Sequence, residues 1–243
     1  MKPAPFLSLS LCLWPLSACT NIKPPPSRPL HPPAEELSVK PGVNDDFLKG
    51  QVDVAHFVQQ FENESREIAA AQEAIAAALQ LKKGQDVADV GSGTGLFLPL
   101  LASGVGVGGK VYALDISPAF VEHLKQRVAR EELEQVDVRE CSERSVGLEP
   151  LSVDVAFVCD TYHHFEYPQS TLWSLYRCLR PQGRLYVVDF ERIPGVSRTW
   201  VLDHVRADKA TFKKEIEQAG FVFEAQEKIP GLNENYMLRF RRP

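Results

Sequence analysis

Cysteine is scarce in this chain, with five among 243 residues. Cys12 and Cys19 fall in an N-terminal stretch with the features of a leader, and Cys141, Cys159 and Cys178 are left as an odd set without close spacing. That pattern speaks against a disulfide framework and against a cysteine-based zinc site. Cys159 lies in an apolar run and reads as a core residue. A basic excess is missing as well: Lys and Arg total 27 against 32 Asp and Glu, a net charge of -5. Proteins that grip a nucleic-acid backbone carry a basic surface, so no nucleic-acid partner is expected. The densest basic run, Arg239-Phe240-Arg241-Arg242, reads as a solvated terminus. No internal repeat is visible.

Long hydrophobic runs are absent too. The run from Phe6 to Leu16 is too short for a permanent membrane helix but suits a signal-peptide core. It closes on Leu16-Ser17-Ala18-Cys19, which resembles a bacterial lipobox. The resemblance implies a signal peptide over 1–18 (lipobox 16–19), cleavage before Cys19 and acylation of its thiol. The domain would then sit on a bacterial envelope as a membrane-anchored lipoprotein. An unused leader would leave it cytoplasmic. Residues 19–42 contain Pro24-Pro25-Pro26 and Pro32-Pro33 and read as a semi-rigid tether, with the globular domain over 43–243.

From Glu64 the pattern becomes regular. Ile68, Ala71, Ile75, Ala78 and Leu79 recur at helical spacing, with Lys82-Lys83-Gly84 as the stop. Strand-like runs follow at Asp86–Val90, Lys110–Leu114, Val136–Glu140, Val153–Cys159 and Arg184–Phe190. Helical stretches separate them at Leu96–Ala102, Pro118–Glu131 and Gln169–Leu179. After a helix at Lys209–Ala219 come two more strand-like runs, Phe221–Glu227 and Asn235–Phe240. This predicts a doubly wound α/β fold: a mostly parallel seven-stranded sheet, helices on both faces and an antiparallel C-terminal end strand.

The sharpest motif is Asp89-Val90-Gly91-Ser92-Gly93-Thr94-Gly95, between a strand and a helix. Glycines there let the backbone turn tightly and approach a ligand. In an open parallel sheet that loop lies at the carboxyl ends of the strands, where ligands bind. A dinucleotide fingerprint needs a glycine at its sixth position, which Leu96 occupies, so a pyrophosphate ligand and a nucleotide-dependent oxidoreductase are disfavoured. Asp115 closes the second strand, where a carboxylate can accept both hydroxyls of a ribose. Capping a helix is the plainer role, which Ser117-Pro118 can also fill.

Val87 to Gly95, Tyr112-Ala113-Leu114-Asp115, Asp160 to Phe165 and Leu179 to Gly183 together resemble the class I S-adenosylmethionine-dependent methyltransferases. The resemblance covers about Val43 to the end. It implies S-adenosylmethionine as cofactor, held by Asp89, Gly91, Ser92, Gly93, Thr94 and Gly95, by Asp115 at the ribose with Ile116 beside it, and by Asp160. Opposite the adenine amino group the family often has an acid. The matching position is Ser142, so either neighbouring Glu143 or a backbone carbonyl serves. Asp160, His163 and His164 face the reactive end. Asp160 is a candidate to hold the methionine amino group or orient the acceptor, and the histidines are candidate bases or a brace for the loop. Metal-dependent members place an asparagine after the fifth-strand acid. Phe190 follows Asp189 here, two oxygen ligands are too few for magnesium, and no metal is expected.

Acceptor contacts are expected from Phe57, Phe61, Glu62 and Arg66 on one side. On the other stand Asp189, Arg192, Trp200, His204 and Arg206. The reaction implied is methyl transfer to an unidentified small-molecule acceptor. A second reading is an exported, non-catalytic domain that binds S-adenosylmethionine or a related nucleoside, since that donor is a cytosolic metabolite.

Overall fold

The computed structural model describes Met1 and residues 35–48, 52–62 and 67–243. The leader with Cys19, most of the Pro-rich tether, and Arg66 lie outside the described residues. Seven strands form one sheet: β1 (Asp86–Val90), β2 (Lys110–Asp115), β3 (Val136–Glu140), β4 (Val153–Cys159), β5 (Leu179–Phe190), β6 (Val222–Glu227) and β7 (Asn235–Arg241). Their order is β3-β2-β1-β4-β5-β7-β6. The first five run parallel, and β7 inserts antiparallel between β5 and β6.

Period-two alternation sends each strand's side chains into two separate cores. Val87, Val111, Phe157, Tyr186 and Val188 pack with Ile75 of α4 (Gln72–Ala78), Leu98 and Leu101 of α5 (Leu98–Val105) and Leu124 of α6 (Pro118–Arg130). Ala88, Val158, Leu185 and Val187 pack on the opposite face with Leu172 and Leu175 of α7 (Pro168–Cys178) and Phe212 and Ile216 of α9 (Lys209–Gln218). A parallel sheet must be covered on both faces, which is why β4 reads as a nearly unbroken apolar run. The crossovers diverge between β1 and β4, so a crevice opens at their carboxyl ends.

Three local expectations change. The helix expected over 64–81 kinks at Ala71 between α3 (Glu67–Ala70) and α4; its ladder continues through Ala71, but ψ there is 9°. It ends at Ala78, with Gln80 at a left-handed φ of 50°, before the Lys-Lys-Gly stop is reached. The helix expected to reach Leu179 ends at Cys178, and residues 179–183 lie inside β5 with an irregularity opposite Val153–Val155, because Leu179 already pairs with Val153. The Arg239–Arg242 run is a paired strand and not a solvated end. Arg239 and Arg241 meet Glu224 across β6, and Arg242 is buried over the Tyr176 ring.

The segment before Val43 is also tied down where it is described. The Glu36 carboxylate accepts from the backbone N–H groups of Gln169 and Ser170, both at 2.7 Å, and so caps α7. The Val39 N–H donates to Glu166 O, and Lys40 Nζ donates to His204 O at 2.6 Å. The tether therefore yields to a docked strap some residues before the expected domain boundary. Three elements not delineated in the sequence then roof the crevice: α1 (Asp45–Leu48), α2 (Val54–Phe61) and α8 (Thr199–His204). Removing the α7 cap should cost about 1–2 kcal/mol, the usual loss for an N-terminal carboxylate cap. Urea denaturation of Glu36→Ala should show that decrease, whereas a change below about 0.5 kcal/mol would mean that the strap contributes nothing to stability.

Candidate active site

The carboxyl ends of β1, β2 and β4 open into a cavity of about 380 Å³. Asp89, Gly91, Ser92, Gly93, Thr94, Asp115, Ile116, Glu143, Asp160, His163 and His164 all line it. Gly95, grouped with them in the sequence, does not. Its φ is +85°, and a Cβ there would lie 2.9 Å from Leu124 Cδ2, so it serves the packing of α6. Gly91 is also sterically fixed, since a Cβ would meet Thr161 Cγ2 at 2.3 Å. Gly93 differs from both. A Cβ there would meet nothing closer than the Gly91 carbonyl at 4.0 Å, so its backbone fronts open space that a ligand can enter.

The loop is held from β2. Gly91 and Ser92 donate to the Leu114 carbonyl at 2.8 and 2.9 Å. Gly93 N–H donates to Asp115 Oδ2 at 2.8 Å, and Ser117 N–H to Asp115 Oδ1 at 2.9 Å. Both Asp115 oxygens are thus engaged, one by the loop and one by Ser117, the N-cap residue of α6, whose own side chain makes no cap hydrogen bond. Burial pushes its carboxyl up to about 6, against the pull of the backbone donors Ser117, Gly93 and Ile116. Burial likewise pushes Asp89 up to about 7, with a further contribution from the Asp115 charge. Glu143 reaches the cavity with Oε1 accepting from Asn44 Nδ2 at 3.0 Å, which ties the strap to this wall.

The far end is built of histidines. His163 and His164 sit in a 3-10 turn after β4, entered through Asp160 at a left-handed φ of 54°. His163 is buried, and its Nδ1 lies 2.9 Å from Asp189 Oδ1. Asp189 is fully buried and also accepts the His163 and Phe190 backbone N–H groups. With that carboxylate as acceptor, Nδ1 carries the proton and Nε2 is left as the ring's basic nitrogen. Burial opposes charge on His163, but Asp189 outweighs it and the pKa rises. His164 falls well below the usual imidazole value through burial and its histidine neighbours, and burial takes His204 down to about 4.

Of the residues expected to contact an acceptor, Phe57, Phe61, Trp200 and His204 line the cavity. The others serve structure: Glu62 pairs with Arg127 at 2.6 Å, Arg206 with Glu215 at 2.7 Å, Arg192 donates to Leu202 O, and Asp189 braces His163. Sequence reasoning missed Asn44, Asp46 and Phe47, which come from the strap and α1. Phe47 packs on Phe57, Phe120 and the edge of His164 at centroid distances of 5.4, 6.1 and 5.2 Å. Cys159, expected in the core, is partly buried and lines the cavity together with Cys141, whose thiol burial pushes up to about 12.

Comparison with known proteins agrees with this geometry. A family model described as a methyltransferase domain matches residues 88–187. An arsenite methyltransferase of Halobacterium salinarum is 30% identical over 106 residues, covering 44% of this chain and 27% of that protein. Across the curated relatives the matches span 27% to 48% of their length. Among solved structures, an S-adenosylmethionine-dependent methyltransferase from Aquifex aeolicus superposes with a TM-score of 0.69 at 24% identity, over 79% of this chain and all of that one. The [4+2]-cyclase SpnF superposes with a TM-score of 0.67 at 14% identity, over 87% and 98%. The fold is thus one shared with S-adenosylmethionine-dependent methyltransferases, and residues 88–187 match a methyltransferase domain.

Proposed function

We propose that this protein transfers the methyl group of S-adenosylmethionine to a small-molecule acceptor bound against the histidine end of the cavity. One observation carries the reading. Among the described residues, Asp46, Asp89, Asp115, Glu143 and Asp160 line the cavity and no lysine or arginine does. Two of these acids are held above their ordinary values by burial, a cost that a bound cation relieves. A sulfonium bearing an ammonium group fits such a wall. The pyrophosphate of a dinucleotide would meet only like charge, which agrees with the glycine spacing.

In this reading Asp115 holds the ribose hydroxyls, the open backbone at Gly93 lies along the ligand, and Glu143 or a neighbouring carbonyl meets the adenine. The cofactor supplies an activated methyl group, so the protein's share is alignment, exclusion of water and, where the acceptor demands it, removal of a proton. Phe47, Phe57 and Trp200 form the apolar wall on the acceptor side. Asp160 orients the acceptor from the β4 end. His163, fixed by Asp189, presents its Nε2 lone pair to the acceptor end.

The leader belongs to the same proposal. Cleavage before Cys19 would place this domain on an envelope, away from the cytosolic pool of its donor. Intact-mass analysis of the mature chain decides this: a start at an acylated Cys19 establishes the anchor, whereas a start at Met1 removes it and leaves the enzyme beside its donor.

Isothermal titration with S-adenosylmethionine and with its demethylated product should give micromolar binding of both. Asp115→Ala should weaken it by about 1–3 kcal/mol, the range for hydrogen bonds to a charged group. No binding by folded protein would reject the reading, and unchanged affinity in the variant would remove Asp115 from the site. The pH dependence follows from the raised carboxyls. In the free protein both acids bind protons more tightly than in the unfolded chain. The stability they contribute is therefore greatest below about pH 4 and is lost as pH rises through about 6 to 7. Binding of a cation has the opposite sign because it needs them ionised. With both acids required in ionised form, affinity should fall by about a hundredfold between pH 7.5 and 5.5, and titrations in that range that show a flat profile would separate these acids from the ligand's charge.

A further inference from the structure

We infer that His163, His164 and His204 form a binding site for a single divalent transition-metal ion of the zinc class, with its open coordination position facing the cavity. The three side chains place one ring nitrogen each within 4.8 Å of one another. Nε2 of His164 and Nε2 of His204 stand only 3.2 Å apart. Two imidazole donors on one tetrahedral zinc at about 2.0–2.1 Å are separated by about 3.3–3.4 Å, so this pair already has the spacing of shared ligands.

The third imidazole is prepared in the way metal-binding histidines are. His163 gives its Nδ1 proton to Asp189, which fixes the tautomer and leaves Nε2 as the donor atom, the carboxylate–histidine–metal arrangement. The other two rings are braced from outside the cluster. His204 stacks on Trp200 with a 17° interplanar angle, and His164 lies nearly perpendicular to the Phe47 ring. Bringing all three nitrogens onto one ion requires separations of up to 4.8 Å to close to about 3.4 Å, and His204 stands at the end of the short helix α8.

The charges around the cluster suit a cation. Asp160 and Asp46 act on it from the end of β4 and from α1, while the Lys40 ammonium nearby donates to the carbonyls of Asp203 and His204. Three protein ligands with a fourth position open is the pattern of a catalytic zinc site and not of a structural one. The chemical class of the fourth ligand follows. It is an oxygen or sulfur donor arriving from the cavity, such as a hydroxyl or thiol, whose pKa the ion would lower. The metal site stands on the imidazole geometry alone; that its fourth ligand is the methyl acceptor rests on the function proposed above. These imidazoles are distinct from the Asp160 and Asp189 carboxylates of a magnesium-type site and suit a different ion.

The test is titration of chelator-treated full-length protein with cobalt(II) and zinc(II) salts, read by visible absorption and calorimetry. The expected result is about one equivalent bound, an intense tetrahedral cobalt spectrum and an affinity lower by at least about a hundredfold in His204→Ala. His204→Gln, which keeps the side-chain volume, is the second variant should the alanine form not fold. An octahedral or absent cobalt spectrum, a thiolate charge-transfer band, or equal binding in the folded variant would overturn the inference. S-adenosylmethionine titrated into the metal-free wild-type protein reads the methyltransferase proposal separately, so the two can fail independently.

Discussion

The carboxylate of Asp115 holds together what the ligand site is made of. It ends β2, receives the Gly93 N–H through one oxygen and the Ser117 N–H through the other, and so joins the glycine loop after β1 to the first turn of α6. Arg127 closes the same connection from the far side, donating to the Thr94 carbonyl at 2.9 Å and to Glu62 at 2.6 Å. Loop, helix and the end of α2 are thereby fixed to one another before any ligand arrives. Pre-organisation of this kind spares a ligand the cost of ordering the loop. It also explains why two buried acids persist close together at some cost: their hydrogen-bonding demand is used by the fold, and their charge is left for a ligand.

The cavity is electrostatically divided. Asp89 and Asp115 stand at the glycine loop, and three imidazoles stand opposite, gathered around the turn after β4. Buried charge is expensive unless it is paired, and among the described residues no basic side chain lines the wall to pair with these carboxylates. The histidine end avoids the same cost by another route. Only His163 has a carboxylate partner, while burial and mutual repulsion keep His164 and His204 neutral. Neutral rings can present lone pairs and buried acids can present charge, so the two ends suit different chemistry within one space.

Most of the sheet was legible in the sequence because strands buried on both faces read as short apolar runs, and the glycine loop names its own position between strand and helix. Asp115, Asp160 and the histidine pair follow from their place at strand ends. Less legible was whatever depends on distance along the chain. His204 is 40 residues from His164, and nothing in the local pattern of α8 announces that they meet. Asn44 and Phe47 stood at the edge of what reads as a proline-rich tether, whose composition masks the docking that Glu36 and Lys40 provide. Gly95 was grouped with its neighbours because spacing alone cannot distinguish a glycine facing a ligand from one facing Leu124. The C-terminal arginines were misread for a related reason: pairing across β6 is a tertiary fact.

This division between local and distant residues bears on what the relatives can reveal. The matched domain spans residues 88–187, which holds Asp89, the glycine loop, Asp115, Asp160 and the first two histidines. It excludes Asp189, Trp200 and His204 on one side and Asn44, Phe47 and Phe57 on the other, yet these complete the cavity or brace it. In the proposed reading the cofactor side thus lies at the ends of strands inside the matched region, whereas the acceptor side is assembled from short elements outside it. Small elements with few buried contacts can be exchanged at little cost to the sheet, and a common scaffold can serve unrelated reactions in that way. A fold shared with both a methyltransferase and a [4+2]-cyclase is the outcome to be expected from such a construction. Under the proposed function, the acceptor would be selected by the strap, α1, α2 and α8, and above all by the histidine that α8 brings to the other two.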